Sequence, residues 1–417
     1  MKRIAKILGW LVAIVAVLVL VLIGYIQFGW NRVSARVAPV MVAPRDSATI
    51  ARGEYIFKYT WQCWNCHAVG PDGANAAPSG GYAFDLRNVG PGFGMYYSRN
   101  LTPDSATGIG SWTDGEIVQA IREGINKDRH LLFPIMPVPW LNKIADEDAL
   151  AIVAYLRSIP PVHKSIPDRD PSLMAKALMT FGVIAAAPEI KELIPAPPPT
   201  PTPEYGKYFV TTLAGCADCH TPMNLQNGQI YFDSLFAGGV IAYGMDEGEP
   251  MFSYARNLRS GPTSGISGWT ETQFLDAVTG GMRPDSTVLV PHMPYSHYKF
   301  LHDVDLQAAY LYLHSLEPIA RDVPAPGYSP AFASARGADR GKLLFEARCQ
   351  RCHGAEGKGA LPTNVALRDV SGSLEDDDLR LFLATGQPNL RMPAFGKTLS
   401  TGELDDVIAY IRTWEHQ

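Results

Sequence analysis

Cys63-Trp64-Asn65-Cys66-His67 is a pentapeptide pattern that this chain writes three times, again as Cys216-Ala217-Asp218-Cys219-His220 and as Cys349-Gln350-Arg351-Cys352-His353. Two thiols separated by two residues and followed at once by an imidazole form the attachment signature of c-type haem. The thiols become thioethers to the porphyrin, and the histidine ligates iron from the proximal side. With 6 cysteines and 10 histidines in 417 residues, chance would supply the pattern about 0.002 times. A zinc knuckle, a dithiol redox pair or a disulfide would need cysteines outside the motifs, or would leave the adjacent histidine unexplained. All six cysteines lie inside the motifs. The reading is three covalently bound haem c groups, each with its iron.

Each iron then needs a second axial ligand. Met136, Met293 and Met392 each precede a proline and each follow one of the motifs. A thioether is the usual sixth ligand in electron-transfer cytochromes c, because a soft donor favours ferrous iron, and proline holds the ligand loop in one shape. The expected metal ligands are therefore His67 with Met136, His220 with Met293, and His353 with Met392. A methionine can also be mere core filling; the repeated Met-Pro pairs argue for ligation. His292, beside Met293, is a competitor, but its repeat mate is Ile135, which cannot ligate. His297, His302 and His314 have no counterparts in the first segment and read as surface or supporting residues.

Around the first two motifs the chain repeats itself at an offset of 157: Tyr97-Ser98-Arg99-Asn100-Leu101 on Tyr254-Ala255-Arg256-Asn257-Leu258, Trp112-Thr113 on Trp269-Thr270, Pro134-Ile135-Met136-Pro137 on Pro291-His292-Met293-Pro294, and Tyr155 on Tyr312. Ungapped register over such a length means that a whole domain was duplicated. The third segment is shorter and lacks the Arg-Asn-Leu and Trp-Thr parts. Arg99, Asn100, Arg256 and Asn257 are candidates for charge-assisted hydrogen bonds to haem propionates, with loop stabilisation as the alternative. Trp112 and Trp269 are candidates to pack on haem, or to fix the start of the helix that follows.

Local signals are helical. Thr113-x-x-Glu116, Thr270-x-x-Gln273 and Ser400-x-x-Glu403 are capping boxes, and each opens a run of apolar residues at helical spacing. A glycine with a phenylalanine behind it precedes each motif: Gly53 with Phe57, Gly206 with Phe209, Gly341 with Phe345. That predicts a short helix crossing the segment's last, tyrosine-containing helix closely at the glycine. Alternating strand patterns are almost absent. The expected fold is all-α: three tandem class I cytochrome c domains at 48–162, 204–318 and 337–417, after one N-terminal transmembrane helix within 1–36. A Pro-rich linker at 163–203 and a second linker at 319–336 separate the domains. Within the first linker Leu173, Ala177, Leu178, Phe181 and Val183 form an amphipathic stretch. It either rests on the membrane or a partner subunit, or covers the first domain's own surface, the last being the expectation.

The N-terminus carries Lys2, Arg3 and Lys6 and then no charge from Ile7 to Asn31. As a helix this run would span about 37 Å against a hydrocarbon core of about 30 Å, longer than the apolar core of a signal peptide. Trp10, Tyr25 and Trp30 stand as interfacial anchors. Val33-Ser34-Ala35 leaves cleavage open as the alternative. Retained, the segment places the chain as a single-pass protein of the inner (cytoplasmic) membrane, with the basic end in the cytoplasm and the haem domains in the periplasm. The first 36 residues contribute five positive charges and no negative one, so the remainder carries −10 against −5 for the whole. An acidic body without a basic cluster excludes nucleic acid and suits a basic-faced redox partner. The acidic runs 375–378 and 403–406 are either such a docking surface or solvated helix faces.

Arg-Asn-Leu-Thr-Pro-Asp-x-x-Thr-Gly-Ile-Gly-x-Trp-Thr-Asp (Arg99 to Asp114), Pro-x-Met-Pro and the run Asp146 to Leu156 make the chain resemble the triheme cytochrome c subunits of membrane-bound bacterial dehydrogenases. The resemblance covers about residues 50 to 417. It implies class I cytochrome c domains and a partner enzyme oxidising alcohols, aldehydes or sugar acids, with electrons passed on to ubiquinone or a terminal oxidase. Members of that family hold the membrane through a C-terminal amphipathic segment, whereas here the N-terminal segment reads as the anchor. No dinucleotide fingerprint, P-loop or nucleophile motif is present, so no catalytic residue is assigned. The leading expectation is an electron-relaying cytochrome subunit of a membrane dehydrogenase complex. The alternatives are a tethered carrier between a quinol-oxidising complex and a terminal oxidase or photosynthetic reaction centre, and a haem peroxidase.

Overall fold

The computed structural model describes the chain except residues 1, 69–72, 88–91, 225–228, 247–248, 260–264, 286–288, 290–292, 322, 324–336, 355–356, 359–366, 368–373, 387–391, 393, 396–398, 400 and 417. His292, Pro291, Pro393, Ser400 and most of the second linker therefore lie outside the described residues. The chain divides into two compact units, the first Met1–Ala196 and the second from Pro197 to Gln417 apart from the stretch Leu225–Asn227.

The first unit opens with α1 (Lys2–Gly29), whose side chains are exposed along nearly its whole length. From Lys6 to Gly29 it is long and apolar enough to cross a membrane, by length and composition. Next come α2 (Ser47–Tyr55), α3 (Trp64–His67), α4 (Asp114–Glu123), α5 (Val138–Leu141), α6 (Asp146–Ser158) and α7 (Leu173–Thr180). The second unit contains α8 (Pro203–Tyr208), α9 (Cys216–His220), α10 (Glu271–Gly280), α11 (Tyr295–Tyr298), α12 (Asp303–Ser315), α13 (Ala338–Arg348), α14 (Gln350–His353), α15 (Asp376–Thr385) and α16 (Thr401–Arg412).

One packing motif recurs three times. α2 crosses α6, α8 crosses α12, and α13 crosses α16, each time at the glycine singled out by sequence. A Cβ at Gly53 would lie 1.8 Å from the Ala151 carbonyl oxygen, at Gly206 1.9 Å from that of Ala308, and at Gly341 1.7 Å from that of Asp406. Only a residue without a side chain lets the two backbones come so near. The next apolar ring seals each crossing: Phe57 on Tyr155 at 5.4 Å between centroids and Phe345 on Tyr410 at 5.6 Å. In the middle case it is Phe236, edge-on to Tyr312 at 6.2 Å. Buried carboxylates lock the crossings: Arg52 donates to Asp148 at 2.7 Å, the Tyr205 hydroxyl to Asp305 at 2.5 Å, and Arg340 to Asp406.

α4 and α10 begin as the sequence requires. Thr113 and Thr270 accept from the backbone N–H of Glu116 and Gln273, whose side chains reach back to the cap backbone. α6 carries Asp146, Glu147 and Asp148 in its first turn, favourable against the helix dipole, and stops at Ile159, held extended before Pro160.

Two features depart from the expectation. The fold is not purely α. β1 (Ala83–Asp85), β2 (Gly94–Tyr97) and β3 (Asp170–Pro171) form an antiparallel sheet in the first unit, and β4 (Gly239–Asp246) pairs antiparallel with β5 (Glu249–Ala255) in the second. The motifs are 153 residues apart but the downstream repeats 157, so four extra residues fall between His220 and Tyr254, where β4 and β5 lie. β1 and β3 are too short to show alternation, whereas β4 and β5 are long enough but carry no clean apolar–polar alternation, so both sheets escape a sequence reading. Residues 163–194, within the stretch read as linker, fasten onto the first unit as the covering expectation has it, but Leu173, Phe181 and Val183 of the expected covering stripe stay exposed. Met95 pairs with Asp170, the Pro188 carbonyl accepts from Asn142, and Asp146 N–H donates to the Ile194 carbonyl.

Candidate haem-binding sites

The backbone ahead of the first two motifs takes the same unusual path. α2 widens into a π-helical turn at Ile56–Thr60 and α8 into one at Phe209–Leu213, the kind of insertion that tends to mark functional sites. Then one residue turns left-handed, Gln62 at φ 52° and Gly215 at φ 63°. That reversal starts the short helix carrying the thiols and the imidazole, α3 in one case and α9 in the other. Gln62 pays for its strained φ through burial and a bond from Asn65 Nδ2 at 3.1 Å.

His67 and His220 sit half-buried at the ends of α3 and α9. Nδ1 of His67 is 2.9 Å from the carbonyl oxygen of Arg99, and Nδ1 of His220 is 2.7 Å from that of Arg256. A carbonyl can only accept, so Nδ1 carries the proton in both and Nε2 keeps its lone pair. This is the tautomer and orientation a ligating histidine needs, fixed by its outer-shell partner. Burial holds both imidazoles below the usual histidine range, opposed only by that carbonyl bond, so they are neutral donors. A second bond returns the chain to the motif in each case: Gly80 N–H donates to the His67 carbonyl and Gly238 N–H to that of His220.

The thiols belong to the same environment. Burial pushes Cys63 and Cys216 up to about 12, and raises Cys66 and Cys219 as well. Dithiol redox pairs work through the opposite shift, a stabilised thiolate, so this pocket does not suit thiol exchange. Paired cysteines beside a neutral imidazole whose Nδ1 is held by a carbonyl and whose Nε2 keeps its lone pair fit haem c. When bound, haem supplies a one-electron iron couple, and the protein's part is to ligate, orient and shield it.

The Met-Pro turns also match. Pro137 has φ −76° and ψ 50°, Pro294 φ −81° and ψ 46°, and the Met136 and Met293 carbonyls accept from the N–H of Val138 at 2.7 Å and Tyr295 at 2.8 Å. These are inverse γ-turns, and both methionines are half-buried. In the third segment His353 ends α14, its N–H donating to the Cys349 carbonyl at 3.0 Å, while Met392 packs against a core containing Leu344, Phe345, Tyr410 and Trp414.

The Arg-Asn segments do more than their side chains suggested. Asn100 is buried and holds the Val162 carbonyl at 2.8 Å and Thr102; Asn257 holds the Ile319 carbonyl at 2.8 Å and the Arg259 N–H. Arg99 donates to the Pro167 carbonyl at 3.1 Å and Arg256 to the Val323 carbonyl at 3.1 Å, both with exposed side chains. The geometry gives both asparagines the loop-closing role, and the histidine is oriented by the arginine's backbone. Side-chain reasoning missed that carbonyl, although the repeat of Arg-Asn after the first two motifs was its signal. Trp112 and Trp269 are half-buried, and their N–H groups close turns onto Ile109 at 3.1 Å and Ile266 at 3.0 Å, just before the two capping boxes.

Comparison with known proteins agrees with this chemistry. Residues 50–160 match the family described as cytochrome c, and residues 336–411 that described as cytochrome c oxidase, cbb3-type, subunit III. The chain is 30% identical over 401 residues to the gluconate 2-dehydrogenase cytochrome c subunit of Pantoea cypripedii, covering 88% of this chain and 86% of that one. It is 29% identical over 396 residues to the alcohol dehydrogenase (quinone) cytochrome c subunit of Komagataeibacter europaeus, covering 88% and 81%. It is also 29% identical over 399 residues to the fructose dehydrogenase cytochrome subunit of Gluconobacter japonicus, covering 87% and 78%. These relatives are electron-transfer components rather than catalytic subunits, and the neutral, carbonyl-oriented imidazole beside paired cysteines is the feature that such a role needs: the chain belongs to the family of cytochrome c subunits of dehydrogenases.

Proposed function

We propose that the chain carries three haem c groups in three tandem class I cytochrome c domains (48–162, 204–318 and 337–417) and relays electrons from a dehydrogenase to the membrane's respiratory chain. The iron ligands in this reading are His67 with Met136, His220 with Met293, and His353 with Met392. The thioethers form at Cys63 and Cys66, Cys216 and Cys219, and Cys349 and Cys352. In the same reading the Arg99 and Arg256 side chains, both exposed, bind haem propionates, and Trp112 and Trp269, just ahead of α4 and α10, pack on haem. α1 anchors the protein in the cytoplasmic membrane, with Lys2, Arg3 and Lys6 on the cytoplasmic side and the haem domains in the periplasm.

The observation that carries this reading is the Nδ1-to-carbonyl clamp on His67 and His220, because it leaves Nε2 of each neutral imidazole for iron beside two thiols. The glycine crossing, present at Gly341 as at Gly53 and Gly206, supports a third domain of the same design.

The test is purification from native membranes. A pyridine haemochrome assay on the purified chain is expected to give three haems per polypeptide, and a dehydrogenase subunit is expected to copurify and reduce them on adding an alcohol, aldehyde or sugar acid. Two haems would remove one ligand set. Reduction by quinol alone, with no dehydrogenase attached, would turn the chain into a carrier downstream of a quinol-oxidising complex.

A further inference from the structure

α7 and the turn after it form an apolar surface that the first haem segment does not use. Ala175, Met179 and Thr180 face inward and are buried, whereas Leu173, Met174, Phe181 and Val183 lie outside at 47–61% exposure. Leu173, Met174, Ala177, Leu178 and Phe181 recur at helical spacing, so the exposed residues make one stripe. No acidic residue interrupts α7.

This stripe is attached to the end of α1. A Cβ at Gly29 would touch Thr180 Cγ2 at 3.6 Å, and Lys176 Nζ bonds Gln27 at 3.1 Å. The Tyr25 and Phe181 rings lie 6.4 Å apart between centroids. Arg169 stacks over the Trp30 ring at 4.9 Å and also holds the Leu131 carbonyl at 2.7 Å, which ties the end of α1 to the domain. The level is therefore set. Tyr25 stands four residues before Gly29, about 6 Å along the helix axis. The 24 residues Lys6–Gly29 exceed a hydrocarbon core of about 30 Å, so the last turn lies at the boundary of headgroups and acyl chains. Trp30 and Tyr25 with Arg32, Arg169 and Lys176 make the aromatic and cationic ring typical of that depth.

We infer that Leu173–Val183 is a second membrane contact: its exposed stripe, led by Phe181 and Val183, sinks into the outer headgroup–acyl boundary of the bilayer that α1 crosses. The inference rests on the reading of α1 as a membrane helix. Lipid is the occupant because the stripe continues the exposed apolar surface of α1 at the depth of its last turn. The contact fixes the tilt of the first haem segment over the membrane, which a single helix followed by a flexible tether would leave free.

The test uses full-length holoprotein in phosphatidylethanolamine–phosphatidylglycerol vesicles and a charged, membrane-impermeant maleimide. Phe181→Cys and Val183→Cys are compared with Leu193→Cys, whose parent side chain is 82% exposed, and with Leu18→Cys inside α1. A haem spectrum like that of the parent protein checks the fold of each variant, and Met174→Cys replaces any that fails. The expected result is labelling at 181 and 183 at least tenfold slower than at 193, with no labelling at 18. Protection at 18 with rates at 181 and 183 within about threefold of 193 overturns the inference and leaves the anchor standing. Ready labelling at 18 overturns the anchor itself, and the inference with it. Protection at 181 only in native membranes, not in vesicles of the purified protein, assigns the stripe to a partner subunit and also overturns the inference.

Discussion

The Nδ1 proton of His67 belongs to the Arg99 carbonyl, and that of His220 to the Arg256 carbonyl, so each imidazole presents one fixed lone pair. In the proposed ligand sets the other axial position is a methionine, and a soft thioether there would raise the potential by favouring ferrous iron. Replacing Met136 by alanine is therefore expected to lower the potential of one haem component and leave the others where they were; Met293→Ala and Met392→Ala each move a different component. A redox titration followed in the haem bands checks this, and an unchanged curve strikes that methionine from the ligand set. The motifs, the Met-Pro pairs and the Arg-Asn repeat were all legible in the sequence. The carbonyl that orients each histidine was not, because every residue has one and only the folded backbone says which carbonyl faces which ring.

At the scale of elements the crossing glycines dominate. A methyl group at Gly53, Gly206 or Gly341 would fall within 2 Å of a carbonyl oxygen on the partner helix, too close for rotamer adjustment to relieve. Gly53→Ala is expected to destabilise the first haem segment by about 1–3 kcal/mol, the usual cost of overpacking. At about 2–4 °C per kcal/mol for a unit of this size, the melting point read from the haem spectrum should fall by at least 2 °C. A change within 1 °C would mean that the helices separate at no cost. The caps are a gentler case, since Thr113→Ala removes one bond worth about 1 kcal/mol. Helix starts and the glycine crossings could be read directly from spacing. The strands could not: β3 has two residues and pairs with β2 across about 75 positions of chain, which no local pattern encodes.

For the molecule as a whole the question is whether any iron is open to a small ligand. If, as proposed, protein ligands hold both faces of each haem, carbon monoxide added to the fully reduced protein is expected to change the spectrum little. Strong binding at one haem together with peroxide turnover would move the chain from electron relay to a haem peroxidase. The acid-rich body, −10 beyond the first 36 residues, favours a basic-faced electron partner and predicts association that weakens as salt rises.

Covalent attachment chemistry is written in contiguous residues, because two thiols must reach the porphyrin edge while the next imidazole reaches its iron, all from one turn of chain. The cofactor class, the repeat and the apolar N-terminal span were therefore available before any coordinate. Long-range placement is different in kind. The folding of residues 163–194 back onto the first haem segment, the choice of Phe236 rather than Phe209 to seal the middle crossing, and the seating of α7 against the end of α1 depend on surfaces that exist only once helices have packed. A composition rich in proline reads as a tether wherever it occurs. Tertiary contacts alone decide whether it hangs free or is bound down by the backbone groups it meets.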